Sequence, residues 1–263
     1  MTYPDKTVYP VASCNDKDFQ NLMDVYLDGV FHPSIYKEPK IFKQEGWHYE
    51  LPSEDEPLTV NGVVYNEMKG AFSSPESVLE RFTSSVLFPD TPYNNESGGD
   101  PAVIPNLSYE QFIQFHKDYY HPANSYIYLY GDMDMEEKLL WLDKEYLFAY
   151  DKNDYNLDSS IALQKPFSEP VEKETVYSVT ANEGTEDNTY LSLNTVVGTD
   201  IDPVLYVAFQ ILDYTLISAP GAPLKQALID AHIGQDIMGG YENGILQPYF
   251  SVVAKNANKE QKG

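Results

Sequence analysis

The sequence predicts an α+β fold in which helices pack on one face of a sheet and the chain divides into two lobes. Three observations carry this. The first 150 residues hold two helical hairpins and two β-rich runs. A polar, acidic stretch with little periodicity, Asp151 to Glu174, follows them. A second set of strand and helix signals then begins. The lobes are accordingly placed at 1–155 and 175–263, with 156–174 as the linker.

Thr7 to Ala12, TVYPVA, is β-rich and predicts a strand, with Pro10 favouring an edge position. It has no visible partner upstream, a hint that the N-terminus is a cut. Asn15 or Asp16 can cap a helix whose stripe is Phe19, Leu22, Met23, Tyr26, Leu27 and Val30, ending before Pro33. A short helix with Phe42, Trp47 and His48 is expected within Ile41 to Leu51, before an acidic loop, Pro52 to Pro57. Ser74 caps and Pro75 starts a further helix with an apolar face of Val78, Leu79, Phe82, Val86 and Leu87. Pro89 to Pro105 is rich in Pro, Gly, Asn and Asp and predicts a long surface loop. Ser108-Tyr-Glu-Gln111 is a capping box for a helix over Tyr109 to Tyr120. Ser125 to Tyr130 alternates as a strand, Gly131-Asp132 turns, and Met133 to Tyr150 is periodic as a helix. In the second lobe, strands are expected over Thr175 to Thr180 and Thr189 to Val197, and helices over Pro203 to Ile217 and Leu224 to His232. Short strands follow near Ile237 and over Pro248 to Ala254, and Asn256 to Gly263 is expected to fray.

A chain of 263 residues buries about 70–75% of its extended surface on folding. With 41 acidic against 17 basic residues the formal charge is −24, which makes nucleic acid and anionic membranes poor partners and suits basic peptides. Solubility alone is a sufficient reason for that charge. No uncharged apolar run reaches the ~18 residues of a membrane span; the best, Val204 to Ile217, contains Asp213. MTYPDKTVYPVAS lacks the basic start and apolar core of a secretion signal. The single cysteine, Cys14, excludes an internal disulfide and a thiolate zinc cluster. A cytoplasmic, reducing setting fits, or an organellar lumen if a targeting segment has been removed.

The chain is organised around Val60 to Phe88. Val64, Glu67, Met68, Ala71 and Phe72 recur at helical spacing, a stripe apolar except for Glu67. A buried, unpaired carboxylate is costly, so Glu67 calls for a cation, a proton or a metal. Gly70, one turn on, costs about 1 kcal/mol against alanine in a helix interior, which suggests a close packing neighbour. The plainer alternative is a salt-bridged or surface glutamate beside a small packing residue. Asn61-Gly62 is a hairpin-turn signal, so Leu58 to Tyr65 could instead open as a short hairpin.

The five histidines, His32, His48, His116, His121 and His232, include no i,i+4 pair, and HExxH and HxxEH are absent. They are expected to be structural or exposed. No GxSxG elbow, phosphate loop, GxGxxG or EF-hand loop is present. Glu54-Asp55-Glu56 and Asp132 to Glu137 look like solvated loop and helix N-terminal charges. The residues by themselves make no complete active site.

Several longer strings are distinctive in combination. MTYPDKTVYPVAS, DFQNLMDVYLDGVFHP, GVVYNEMKGAFSSP, LFPDTPY with SGGDP, and FHKDYYHPANS followed by YGD resemble the M16 metallopeptidases, closest to the presequence-protease and falcilysin branch. The resemblance covers residues 1 to 150 and continues more weakly through LKQALIDAHIGQDIMGGYENGILQPYFSVVAKNAN. It implies LuxS/M16-peptidase-like αβ domains with an antiparallel sheet. It also implies a zinc metalloendopeptidase that degrades peptides in a closed chamber. In that family two histidines of HxxEH and a distal glutamate hold zinc. The distal glutamate lies in NEMKG, here Glu67.

The sequence departs from the family in lacking HxxEH, which should precede MTYPDKT. The resemblance therefore implies a fragment, both lobes truncated, inactive as the isolated chain and binding zinc weakly at most. No catalytic residue is assigned within it, and its substrate-binding residues are unknown. The alternative is a non-catalytic M16-like scaffold or interaction subunit. Expected partners are peptides, basic ones included, and exposed sheet edges would favour self-association.

Overall fold

The computed structural model describes residues 1–182 and 184–262. In chain order its main elements are α1 (Asp16–Phe31), β1 (His48–Glu50), β2 (Thr59–Asn61), α2 (Val63–Ala71), α3 (Pro75–Leu87), α4 (Tyr109–Tyr119), α5 (Met135–Leu142), β3 (Thr189–Val196), α6 (Pro203–Asp213), α7 (Pro223–Asp230), β4 (Asp236–Glu242) and β5 (Tyr249–Ala257). Helices with small antiparallel sheets make this an α+β protein.

Side-chain caps set the helix starts. Asn15 Oδ1 accepts from Asp18 N at 3.1 Å and Ser74 Oγ from Ser77 N at 3.1 Å. Both bonds of the Ser108–Gln111 capping box are made. Asp134 caps α5, and Asp202 Oδ1 accepts from the N–H groups of Val204 and Leu205, each at 3.0 Å. Each cap satisfies N–H groups that the first helical turn leaves without partners.

The chain forms two compact units, one from Met1–Gly70 with Gly98–Ser160, the other from Ala71–Ser97 with the stretch from Ile161 on. The passage at Ser160 falls inside the polar stretch expected to link two lobes. The α3 segment, assigned by sequence to the first lobe, belongs with the second unit.

In the first unit α1 and α5 bury Phe31, Leu142 and Tyr146 together, with Leu27, Val30, Trp141 and Leu147 around them. Tyr146 Oη donates to Asp24 Oδ1 at 2.6 Å. The Lys138 side chain is only 4% exposed, and its ammonium meets Asp16 Oδ1 at 3.2 Å and Gln20 Oε1 at 3.1 Å. β1 and β2 pair antiparallel, with Tyr49 opposite Val60.

In the second unit β5 lies between β3 and β4, all antiparallel. Phe88, 0% exposed, packs with Tyr93 and Tyr249, flanked by Ile161, Val196 and Leu246. Gln247 Oε1 accepts from Gln164 N at 2.6 Å, and Gln247 Nε2 donates to Gln164 O at 3.2 Å. Phe209 of α6 packs on Tyr241 and Phe250 at ring separations of 5.4 and 6.3 Å.

Several expected elements differ. Thr7 to Ala12, Ser125 to Tyr130 and Thr175 to Thr180 form no strand; the nearest feature is one isolated bridge, Thr2 to Thr7. β-rich composition makes a strand only where a neighbour takes up the backbone N–H and C=O groups along its length; beside Thr7 to Ala12 the Met1 to Tyr3 segment takes up only the first of them, with Val8 N donating to Met1 O at 2.9 Å. The helix expected within Ile41 to Leu51 is a single wide turn, Phe42–Gly46, before β1. Trp47 Nε1 there donates to Leu107 O at 2.9 Å. The tail does not fray at Asn256: β5 runs to Ala257, which is buried against β3. α6 and α7 together cover Pro203–Asp230, 28 residues in which the most apolar 18-residue window has mean hydropathy 1.2. Ala219 to Ala222 breaks them apart, so neither piece reaches the ~20 residues of a span.

Candidate functional site

Glu67 sits on α2, whose start is built by the Asn61-Gly62 pair. Asn61 Oδ1 accepts from Gly62 N at 2.8 Å and from Asn66 Nδ2 at 2.6 Å, and Asn61 Nδ2 donates to Glu50 Oε2 at 2.6 Å. Gly62 has φ +150, and a Cβ there would lie 2.3 Å from Gly46 O, so no other residue fits. The pair therefore ends β2 and starts a helix; it does not turn a hairpin over Leu58 to Tyr65.

The buried face of α2 is rotated by one residue from the expected stripe. Met68 is buried and Tyr65 and Phe72 half-buried, whereas Val64, Glu67 and Ala71 are exposed. Glu67 thus lies on the open side, with no hydrogen bond or ion pair among the described residues. Its expected place within an apolar surface is corrected: among the described residues Glu67 is exposed, together with Val64 and Ala71 on the same side of the helix. At Gly70, where close packing was expected, an added Cβ meets nothing within 4 Å among the described residues. The tight contact falls instead at Gly98, where a Cβ would lie 2.3 Å from Met68 Sδ.

The histidines occupy separate structural positions. His32 stacks on Tyr146 at 5.7 Å, His48 Nδ1 lies 2.7 Å from Lys43 O, and His121 Nδ1 accepts from Ala123 N at 3.1 Å. His116 is buried, its Nε2 donating to Val30 O at 2.9 Å and its Nδ1 accepting from Tyr36 Oη at 2.7 Å. Burial pushes the His116 imidazole below its ordinary range. Asp134 caps α5 and Glu136 and Glu137 are charges of its first turn, in line with the helix N-terminal reading of that acidic run. Among the described residues no group of three or more His, Cys, Asp or Glu side chains could hold a metal. One carboxylate leaves a catalytic zinc site two protein ligands short. The residues of this chain therefore do not fit zinc on their own.

A feature not anticipated from sequence lies in the second unit. A cleft of about 470 Å³ runs between the Ser218 to Ala222 connection, α7 and β4. β4 is an edge strand, and Lys225 Nζ lies 3.5 Å from Asp236 Oδ1 within the lining. The Ala219-Pro-Gly-Ala-Pro223 break was the sequence signal for it. Near the far end of β4, burial first and then Glu80 and Asp213 raise the Glu242 carboxyl above its usual range.

Comparison with known proteins agrees with the sequence strings. The family model described as the Peptidase M16 inactive domain matches residues 106–261. The chain is 51% identical over 264 residues to protein HypA of Clostridium perfringens, covering 100% of this chain and 27% of that protein. It is 40% identical to presequence protease 1, chloroplastic/mitochondrial, of Arabidopsis thaliana, over 99% of this chain and 24% of that protein. It is 34% identical to the mitochondrial presequence protease of Xenopus tropicalis, over 99% of this chain and 26% of that protein. A solved protease from Helicobacter pylori superposes with a TM-score of 0.40 at 16% identity, over 88% of this chain and 66% of that one. The chain belongs to the M16 peptidase family. Within the family it stands close to the presequence-protease branch. It spans about a quarter of the length of these curated relatives, 24–27%.

Proposed function

We propose that this chain is a section of a zinc metalloendopeptidase that degrades peptides in a closed chamber, and that it contributes Glu67 as one of the metal ligands. The observation that carries the reading is the state of Glu67: an exposed carboxylate without a protein partner, inside the NEMKG string of an M16 chain. A metal would supply the positive charge that the protein does not. Zinc, when bound with an open position, lowers the pKa of its water to about 7. The residues that would complete such a site are not in this chain. The isolated chain is inactive on this reading, because it lacks HxxEH.

The cleft beside β4 supports peptide handling. An edge strand offers a row of backbone donors and acceptors to an extended peptide. The charge of −24 favours basic peptides over acidic ones. A reducing compartment, cytoplasmic or organellar as the names of two relatives suggest, suits the exposed thiol of Cys14.

In the full-length protein, Glu67→Gln is expected to lower bound zinc and abolish turnover of an unfolded peptide. Zinc content and turnover unchanged by that substitution would overturn the assignment. A second reading, a non-catalytic M16-like scaffold or interaction subunit, is favoured by the match to the inactive-domain model over residues 106–261. Full-length protein that neither binds zinc nor cleaves peptides would select it.

A further inference from the structure

We infer that Asn61 and Asn66 are positioning residues for Glu67: their side-chain amides tie the start of α2 to β1 and so fix where the Glu67 carboxylate is held. The inference rests on the reading of Glu67 as a metal ligand and deepens it by naming what holds the ligand in place. Asn66 directly precedes Glu67 and is fastened twice to the junction between β2 and α2. Its main-chain N–H donates to Gly62 O at 2.9 Å, and its Nδ2 donates to Asn61 Oδ1 at 2.6 Å. Asn61 Nδ2 in turn donates to Glu50 Oε2 of β1 at 2.6 Å. Asn61 Oδ1 also takes the N–H of Gly62 at 2.8 Å, at a helix start where main-chain donors lack helical partners. The contacts thus run unbroken from β1 through Asn61 and Asn66 to the residue beside Glu67.

Position 61 calls for an amide. Gly62 N–H and Asn66 Nδ2 only donate, so the side of Asn61 that meets them must accept. The Glu50 carboxylate accepts, so the other side must donate. Aspartate has the same shape but would set a second carboxylate against Glu50. The ladder pairs His48 with Asn61 and Glu50 with Thr59, which makes Glu50 and Asn61 diagonal neighbours within reach of long side chains. The backbone leaves little slack at the same point. A Cβ on Gly62 would lie 2.7 Å from Trp47 Cα, and Trp47 Nε1 is itself anchored on Leu107 O at 2.9 Å. A glutamate on a helix has a long, jointed side chain, so where its carboxylate reaches is set first by where the helix begins. Contacts that orient a metal ligand are worth about 10–100-fold in metal affinity or activity.

Zinc affinity of the full-length protein, read by competition with a chromogenic chelator and set beside thermal melts, tests this. Asn61→Asp is expected to weaken zinc binding about 10-fold. Adding Glu50→Gln to Asn61→Asp is expected to recover most of that loss, because the glutamine amide donates to the new carboxylate and restores one donor facing one acceptor. Asn66→Ala is expected to weaken zinc binding at least ~3-fold, the worth of a lost hydrogen bond. Its melting temperature is expected to stay at or above the parent's, alanine being the better helix former. A purely structural role would instead lower affinity and melting temperature together, and that result in Asn66→Ala would overturn the inference. So would a double variant that binds zinc no better than Asn61→Asp alone. Affinity unchanged in both Asn61→Asp and Asn66→Ala, with Glu67→Gln lowering it, would sink the positioning role and leave Glu67 as a ligand. Affinity indifferent to Glu67→Gln would overturn the ligand reading itself, and the inference with it.

Discussion

Lys255 Nζ lies 2.5 Å from Glu76 Oε1, tying the central strand of the second unit's sheet to the first turn of α3. Tyr190 Oη donates to the same carboxylate oxygen at 2.8 Å, and the ammonium also lies 5.6 Å from the Tyr190 ring. The Lys255 ammonium, chiefly, holds the Glu76 carboxyl at about 2 against an ordinary 4.5. A carboxyl lowered by folding stabilises the fold above its unfolded pKa and loses that contribution as pH falls toward the folded value. Stability is therefore expected to drop between pH 4.5 and about 2. With 38% of the Glu76 side chain exposed, the loss is about 1 kcal/mol after solvent screening. Urea midpoints against pH, compared between the parent and Glu76→Gln, measure it; the variant is expected to give a flatter profile over that interval.

Phe88 is expected to be the most sensitive core position of the second unit, because its ring is fully covered and packs on Tyr93 and Tyr249 at 5.6 and 6.1 Å between centroids. Phe88→Ala should cost about 3–5 kcal/mol. Denaturant unfolding of the variant checks this.

Two glycines should respond in opposite directions. Gly239 of β4 has φ +138, and a Cβ there would lie 2.2 Å from Ser251 O across the β4–β5 ladder. Gly239→Ala is expected to destabilise by about 2 kcal/mol or more, since both strain and overlap oppose it. Gly70→Ala meets open space on a helix and should stabilise by up to about 1 kcal/mol. Parallel thermal melts separate the two.

Glu67→Gln in this chain should change stability by less than about 0.5 kcal/mol, as for an exposed side chain without a partner. A larger loss on chemical denaturation would mean that Glu67 supports the fold, which conflicts with its availability to a metal.

His116 is expected to remain neutral at pH 7 in the tautomer with the proton on Nε2, donating to Val30 O. Its titration should fall below the ordinary 6.5 because burial lowers it. The folding contribution of that neutral ring is accordingly lost as pH falls through the lowered value. Nitrogen-detected NMR of the imidazoles reads both.

Local chemistry was legible wherever it closes within a few residues. Asn15, Ser74 and the Ser108–Gln111 box start their helices where the sequence indicates, because a capping side chain and its N–H partners lie within three residues. The surroundings of Glu67 were not legible: the sequence places it within an apolar surface, and it is exposed. Periodicity shows which residues share a helix face, and only packing decides whether Val64, Glu67 and Ala71 or Tyr65, Met68 and Phe72 turn inward.

The amino-acid sequence by itself determined the helix starts at Asn15, Ser74 and Ser108, the strands that became β3, β4 and β5, and the family, since each of these rests on residue identity and short spacing. The tertiary structure alone decided that α3 belongs with the second unit, that Asn61-Gly62 ends a strand, and that Thr7 to Ala12, Ser125 to Tyr130 and Thr175 to Thr180 remain outside any sheet. The reason is physical: a helix satisfies its backbone within one segment, whereas a strand becomes one only when a second segment, however distant in sequence, supplies its hydrogen bonds.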